Sequence, residues 1–167
     1  MYRYRRLCAV ALVCLCVGAT ASADLRIDPQ SSFGQMIHST QDMKVFKTPQ
    51  CGCCDDWIRH VEAAGIGVEA VDVSHAALDR IKQQGGLQAG LGSCHTAFID
   101  GYLIEGHVPV QDIQRLLTEA PMVRGLSVPG MPIGSPGMEM GERFDPYHVL
   151  SFDLEGNTQL FSSYHQP

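Results

Sequence analysis

Cys51, Gly52, Cys53 and Cys54 put three thiols on four consecutive residues, between a strand-like run, Met43 to Thr48, and a helix-like one. Cys51 and Cys54 have the CxxC spacing of a dithiol that exchanges with disulfides, one sulfur attacking and the other resolving. Cys53 is surplus to that chemistry. Three clustered sulfurs form a soft donor set that suits Cu(I) or Zn(II). At a helix start the unpaired backbone N–H groups and the helix dipole stabilise thiolates, so a thiol pKa ordinarily near ~8.5 falls. Ionised sulfur is both nucleophile and metal ligand. The plainer alternative is a local disulfide beside a buried free cysteine.

The ends of the chain say where this chemistry operates. Arg3, Arg5 and Arg6 precede an apolar run from Leu7 to Ala19, and Thr20-Ala21-Ser22-Ala23 supplies small residues for cleavage. Residues 1–23 read as a secretory signal peptide cut after Ala23, since the run is shorter than the ~20 residues that span a bilayer. Cys8, Cys14 and Cys16 lack a small residue before them, so lipid attachment is not expected, and they leave with the signal. Losing three arginines lowers Lys+Arg from 12 to 9 against 18 Asp+Glu, and the net charge moves from −6 to −9. That acidity argues against nucleic acid as a partner. Export to the periplasm permits disulfides, yet the remaining 144 residues can build a core without them. Cys51, Cys53, Cys54 and Cys94 therefore need a chemical reason.

The elements that position them follow from pattern. Residues 24–42 are polar and aperiodic and read as a linker or arm. From Met43 the order is a strand, a helix from Cys53 to Ala64 stopped by Gly65, a strand from Val68 to Val73, and a helix capped by Ser74 and running through Gln84. Cys54, Ile58 and Val61 share a face of the first helix, with Trp57 beside it. Thr96–Ile99 and Tyr102–Glu105 flank Asp100-Gly101, a strong hairpin signal. Pro109 opens a further helix with Ile113, Leu116 and Leu117 inward, ending before Pro121. This βαβαββα order is that of an α/β, thioredoxin-like (glutaredoxin-like) core over residues 43–121, with helices on both faces of a four-stranded mixed sheet. Residues 122–167 read as a C-terminal extension packed on it. They comprise a Gly/Pro-rich loop, Gly125 to Gly141, and a terminal hairpin of Val149–Asp153 and Thr158–Ser163.

Ser93-Cys94-His95-Thr96-Ala97-Phe98-Ile99-Asp100-Gly101 resembles the glutaredoxin stretch in which a cis-proline precedes a strand and an Asp-Gly turn. His95 stands in place of that proline. The loop concerned faces the dithiol in such proteins, so the resemblance implies that Cys94 and His95 meet Cys51, Cys53 and Cys54. For His95 a core histidine is the equal alternative. Met138 and Met140, with Met131, offer soft thioether sulfur in the Gly/Pro-rich loop, although methionine also fills gaps. His107 follows the hairpin and reads as a satisfied turn histidine that approaches the site at most. His38, His60, His75, His148 and His165 show no pairing that suggests ligation. Asp55, Asp56 and Glu62 read as solvated helix charges.

Together, TPQCGCC, SCHTAFIDGYLIEGHVP and GLSVPGMPIGSPGMEMG resemble a bacterial family catalogued as a domain of unknown function with predicted metal binding, whose better-known members are the CopG-type copper-resistance proteins. The resemblance spans roughly residues 43–164. It implies a periplasmic copper-binding protein with Cys51, Cys53, Cys54 and Cys94 as sulfur ligands and interconversion of Cu(I) and Cu(II), with zinc the lesser expectation; His95, by its place, and Met138, by its thioether, are the candidate further ligands. Two other readings stand beside it: a metal-free thiol-disulfide oxidoreductase using Cys51 and Cys54 as catalytic residues, and a non-enzymatic chaperone passing Cu(I) to an exporter. A copper exporter or a periplasmic redox protein is the expected partner.

Overall fold

A computed structural model describes residues 42–167. The segments read as a signal peptide and as an arm up to residue 41, His38 among them, lie outside the described residues. The chain forms a mixed α/β structure with the order β1 (Met43–Lys47), α1 (Gly52–Ala63), β2 (Val68–Asp72), α2 (His75–Gln84), β3 (Thr96–Ile99), β4 (Tyr102–Glu105), α3 (Val110–Glu119), β5 (Gly125–Ser127), β6 (Tyr147–Phe152) and β7 (Thr158–Tyr164). All seven strands belong to one sheet, ordered β2-β1-β3-β4-β5-β6-β7. The β1/β2 and β4/β5 pairs are parallel and the others antiparallel.

Strand alternation sends successive side chains to opposite faces, and each face has its own core. Val45, Ala97 and Ile104 pack with Trp57, Ile58 and Val61 of α1 and with Ile113 and Leu116 of α3. Phe46, Phe98 and Leu103 point the other way, onto Leu78 and Ile81 of α2. Every residue of β3 and β4 is buried, as central strands covered on both sides must be. The Asp100-Gly101 turn has positive φ at both residues (46° and 79°), the geometry that two-residue hairpins select. Ser74 caps α2 by accepting the Ala77 N–H at 3.2 Å. Pro109 is the N-cap of α3 rather than its first helical residue.

The sheet differs from the expected four strands. Residues read as loop contain β5, which pairs in parallel with β4 and carries the terminal hairpin into the same sheet. A three-residue strand is too short for alternation to reveal. Gly125 is demanded by this join, since a Cβ there would lie 1.8 Å from the Leu103 carbonyl oxygen.

Candidate metal centre

The sulfurs come from two segments. Cys51 is the N-cap residue of α1 and uses its carbonyl to accept the Asp55 N–H, while its side chain makes no capping bond. Cys54 is fully buried one turn in, because the apolar stripe of α1 points to the sheet there. Behind them Lys47 ends β1 and bridges Asp55 and Asp72 at 3.0 and 2.9 Å, tying strand to helix; the Asp72 bond, first among these contacts, raises its pKa. Asp55 is thus an ion-pair partner as well as a first-turn acid. Cys94 arrives on the loop before β3. Ser93 beside it donates its hydroxyl to the Gly130 carbonyl at 2.5 Å, and the Gly130 N–H bonds Gly92, so the Gly/Pro-rich loop is fastened to this one.

These elements bring all four sulfurs within 4.8 Å of one another. Cys51 and Cys54 are joined as a disulfide, with Cα atoms 5.3 Å apart, while Cys53 and Cys94 are free. The Cys53 sulfur lies 3.6 Å from that of Cys51 and 3.9 Å from that of Cys94, and Cys54 and Cys94 are 3.5 Å apart. Burial, and then the neighbouring Cys53 thiol, push the Cys94 pKa up to about 12. Cys94 is therefore a protonated thiol at neutral pH, and a metal must displace that proton to bind its sulfur.

Two imidazoles adjoin the sulfurs. His95 is completely buried, with Nδ1 3.4 Å from the Cys94 sulfur and its ring centroid 4.3 Å from that of Trp57. Its Nε2 has no hydrogen-bond partner among the described residues. Burial first, then the neighbouring His107 and Lys82 charges, hold its pKa well below the usual histidine range, so the ring is neutral and offers lone-pair nitrogen. His107 is more than a satisfied turn residue. The Pro136 carbonyl, 2.8 Å away, can only accept, so Nδ1 carries the proton and Nε2 turns its lone pair to the Cys94 sulfur at 3.1 Å. Sequence reasoning undervalued His107 because its partners are 13 and 29 residues away.

The Gly/Pro-rich loop covers the cluster. Gly137 has φ +82°, and a Cβ on it would stand 2.7 Å from the Cys53 carbonyl and the Trp57 nitrogen, so this backbone rests on the first turn of α1. Met138, next along, is half-buried in the turn closed by the Gly134 N–H to Met138 carbonyl bond of 2.9 Å. Met131 and Met140 are 52% and 61% exposed and fill no gap in the core. The other described histidines bond elsewhere or stay outside the cluster: His60 Nε2 accepts the Val110 N–H, His148 pairs with Ser163, and His165 stacks on Phe144.

No described helix is long and apolar enough to cross a membrane. No curated protein matches the chain. Residues 91–138, which contain Cys94, His95, His107 and Met138, match a family described as a protein of unknown function, DUF411. Two solved structures, titled copper resistance protein CopG form 1 and form 2, are similar over most of the chain. The first is 42% identical, covers 74% of this chain and 96% of that one, and superposes with a TM-score of 0.69. The second is 43% identical, with 74% and 97% covered and a TM-score of 0.68. At that identity across nearly the whole of both relatives, the chain belongs to the CopG family of copper-resistance proteins.

Proposed function

We propose that this chain is a periplasmic copper-binding protein of copper resistance that holds Cu(I) through Cys51, Cys53, Cys54 and Cys94. The observation that carries the reading is the approach of four sulfurs, from two segments some forty residues apart, to within 4.8 Å. Soft thiolates select Cu(I) over harder cations. The orphaned Nε2 of buried His95 supports a further ligand, since such an atom is costly without a partner. His107 adds a second imidazole beside Cys94, and Met138 a thioether from the covering loop. The β2-β1-β3-β4 order, with α1 and α3 on one face and α2 on the other, supports a thioredoxin-like core over residues 43–121.

The disulfide gives the site two states. Opening the Cys51–Cys54 bond consumes two electrons and two protons and releases two thiols, giving four sulfur donors where there were two. Two Cu(I) ions losing one electron each balance that reduction, and two Cu(II) ions balance the reverse. The same cysteines therefore both bind copper and interconvert its oxidation states. An exporter or a periplasmic redox protein is the partner that such a site serves.

Anaerobic titration of the reduced protein with Cu(I) and Zn(II), with metal analysis and thiol counting, tests this. Stoichiometric Cu(I) binding that weakens tenfold or more in Cys53→Ser and Cys94→Ser is expected. The Cys51–Cys54 disulfide favours a second reading, a thiol-disulfide oxidoreductase. That reading wins if copper fails to bind while Cys51 and Cys54 cycle with a disulfide substrate and Cys53→Ser is neutral. Copper-dependent electron transfer separates the redox protein from a simple chaperone.

A further inference from the structure

A buried ion pair adjoins the loop that carries Cys94. Glu105 ends β4 with a side chain that is 0% exposed, and Lys82 of α2, 13% exposed, pairs with it. Apolar residues of similar size usually stabilise such a position as well or better, so the pair calls for another reason. Its remaining hydrogen bonds supply one. Glu105 Oε1 accepts the Ser93 N–H at 2.6 Å, and the Lys82 ammonium donates to the Ser93 carbonyl at 3.0 Å. Glu105 Oε2 accepts the Thr96 hydroxyl at 2.6 Å. Ser93 and Thr96 flank Cys94-His95, so a single carboxylate and its counter-ion grip both ends of the segment that brings the fourth sulfur to the helix-borne three.

We propose that Lys82 and Glu105 are positioning residues for Cys94, fixing its sulfur against the Cys54 sulfur 3.5 Å away. They act through the backbone of Ser93 and the side chain of Thr96. This deepens the copper reading and rests on it only for the role of Cys94. Its test is run metal-free so that the two can fail separately.

In the exported protein carrying Cys51→Ser and Cys53→Ser, Cys54 and Cys94 are left to pair. Equilibration with glutathione redox buffers forms the Cys54–Cys94 disulfide as one oxidised glutathione becomes two reduced ones. The equilibrium constant is the effective concentration of one sulfur at the other, which measures positioning directly. In that background Lys82→Met is expected to lower it about tenfold or more. Adding Glu105→Leu to Lys82→Met removes the stranded charge. The double variant is expected to recover thermal stability while the effective concentration stays low, and it carries the test if Lys82→Met alone does not fold. The proposal is overturned if both variants keep the effective concentration within about twofold, or if the double variant recovers it along with stability. Failure of Cys54 and Cys94 to pair when the clamp is intact overturns it as well. Copper binding with unchanged pairing would sink this inference alone, and pairing without copper binding would sink the copper reading alone.

Discussion

Asp112 and Glu105 are both buried carboxylates with several donors, and they do opposite kinds of work. Asp112 accepts the Ser162 hydroxyl at 2.5 Å and the Tyr164 hydroxyl at 2.7 Å, with Arg115 at 3.4 Å. Every one of those donors is a side chain, and the bonds staple α3 to β7, closing the seam where the C-terminal strands join the sheet. Glu105 instead receives a backbone N–H and sits under a loop. At Asp112 the seam is held by side chains bonding side chains. At the sulfur cluster Glu105 and Lys82 hold the Ser93 backbone as well as the Thr96 hydroxyl, and the Cys94 and His95 side chains between them stay available for chemistry.

The sharpest way to break the seam is Gly125→Ala. A Cβ 1.8 Å from the Leu103 oxygen forces β5 away from β4, so a loss above about 4 kcal/mol, or failure to fold, is expected in urea unfolding. Asp112→Ala takes the acceptor from the Ser162 and Tyr164 hydroxyls, while Arg115 keeps the Phe161 carbonyl, and should cost about 3 kcal/mol, again read by urea unfolding. Under native conditions its Cys53 and Cys94 should still react with maleimide at the wild-type rate; a large change there would mean that seam and site are one unit. Gly137→Ala tests the other side. Strain at φ +82° and the close approach to α1 should cost about 2 kcal/mol, and lifting the covering loop should raise the Cys53 alkylation rate severalfold. The smallest effect concerns His60, which links α1 to α3 by accepting the Val110 N–H. Burial lowers its pKa from an ordinary value of 6.5, so the neutral ring belongs to the fold. Its contribution is intact above pH 6.5 and fades as pH falls below it. The size is under about 1 kcal/mol because the ring is half-exposed, and His60→Gln should flatten that part of the stability–pH curve.

Much of this organisation can be read from residues alone, and the unreadable parts have common causes. The Asp100-Gly101 hairpin, the Ser74 cap and the buried face of α1 are local patterns, and each appears as expected. The convergence of Cys94 with the CGCC run came from a resemblance to a known loop, not from spacing. Glu105 and Lys82 carry no signal in the sequence, because a charged residue in a strand or a helix reads as a solvent-facing one. Only the fold shows that they meet across 23 residues. β5 stayed hidden because Gly125-Leu126-Ser127 sits at the start of a Gly/Pro-rich stretch whose composition signals loop. The pairing state of the thiols was also beyond composition: CxxC spacing permits both the Cys51–Cys54 disulfide and an open dithiol.

Trp57 is the sole tryptophan of the chain. Its indole N–H is fixed on the Val108 carbonyl at 2.9 Å, and its ring lies against His95. The protein thus has an intrinsic fluorophore anchored at one edge and in contact with the cluster at its face. Protonation, ligation or displacement of that imidazole alters the emission, so events at the sulfur cluster can be followed in real time by ultraviolet fluorescence, without a dye or an added label.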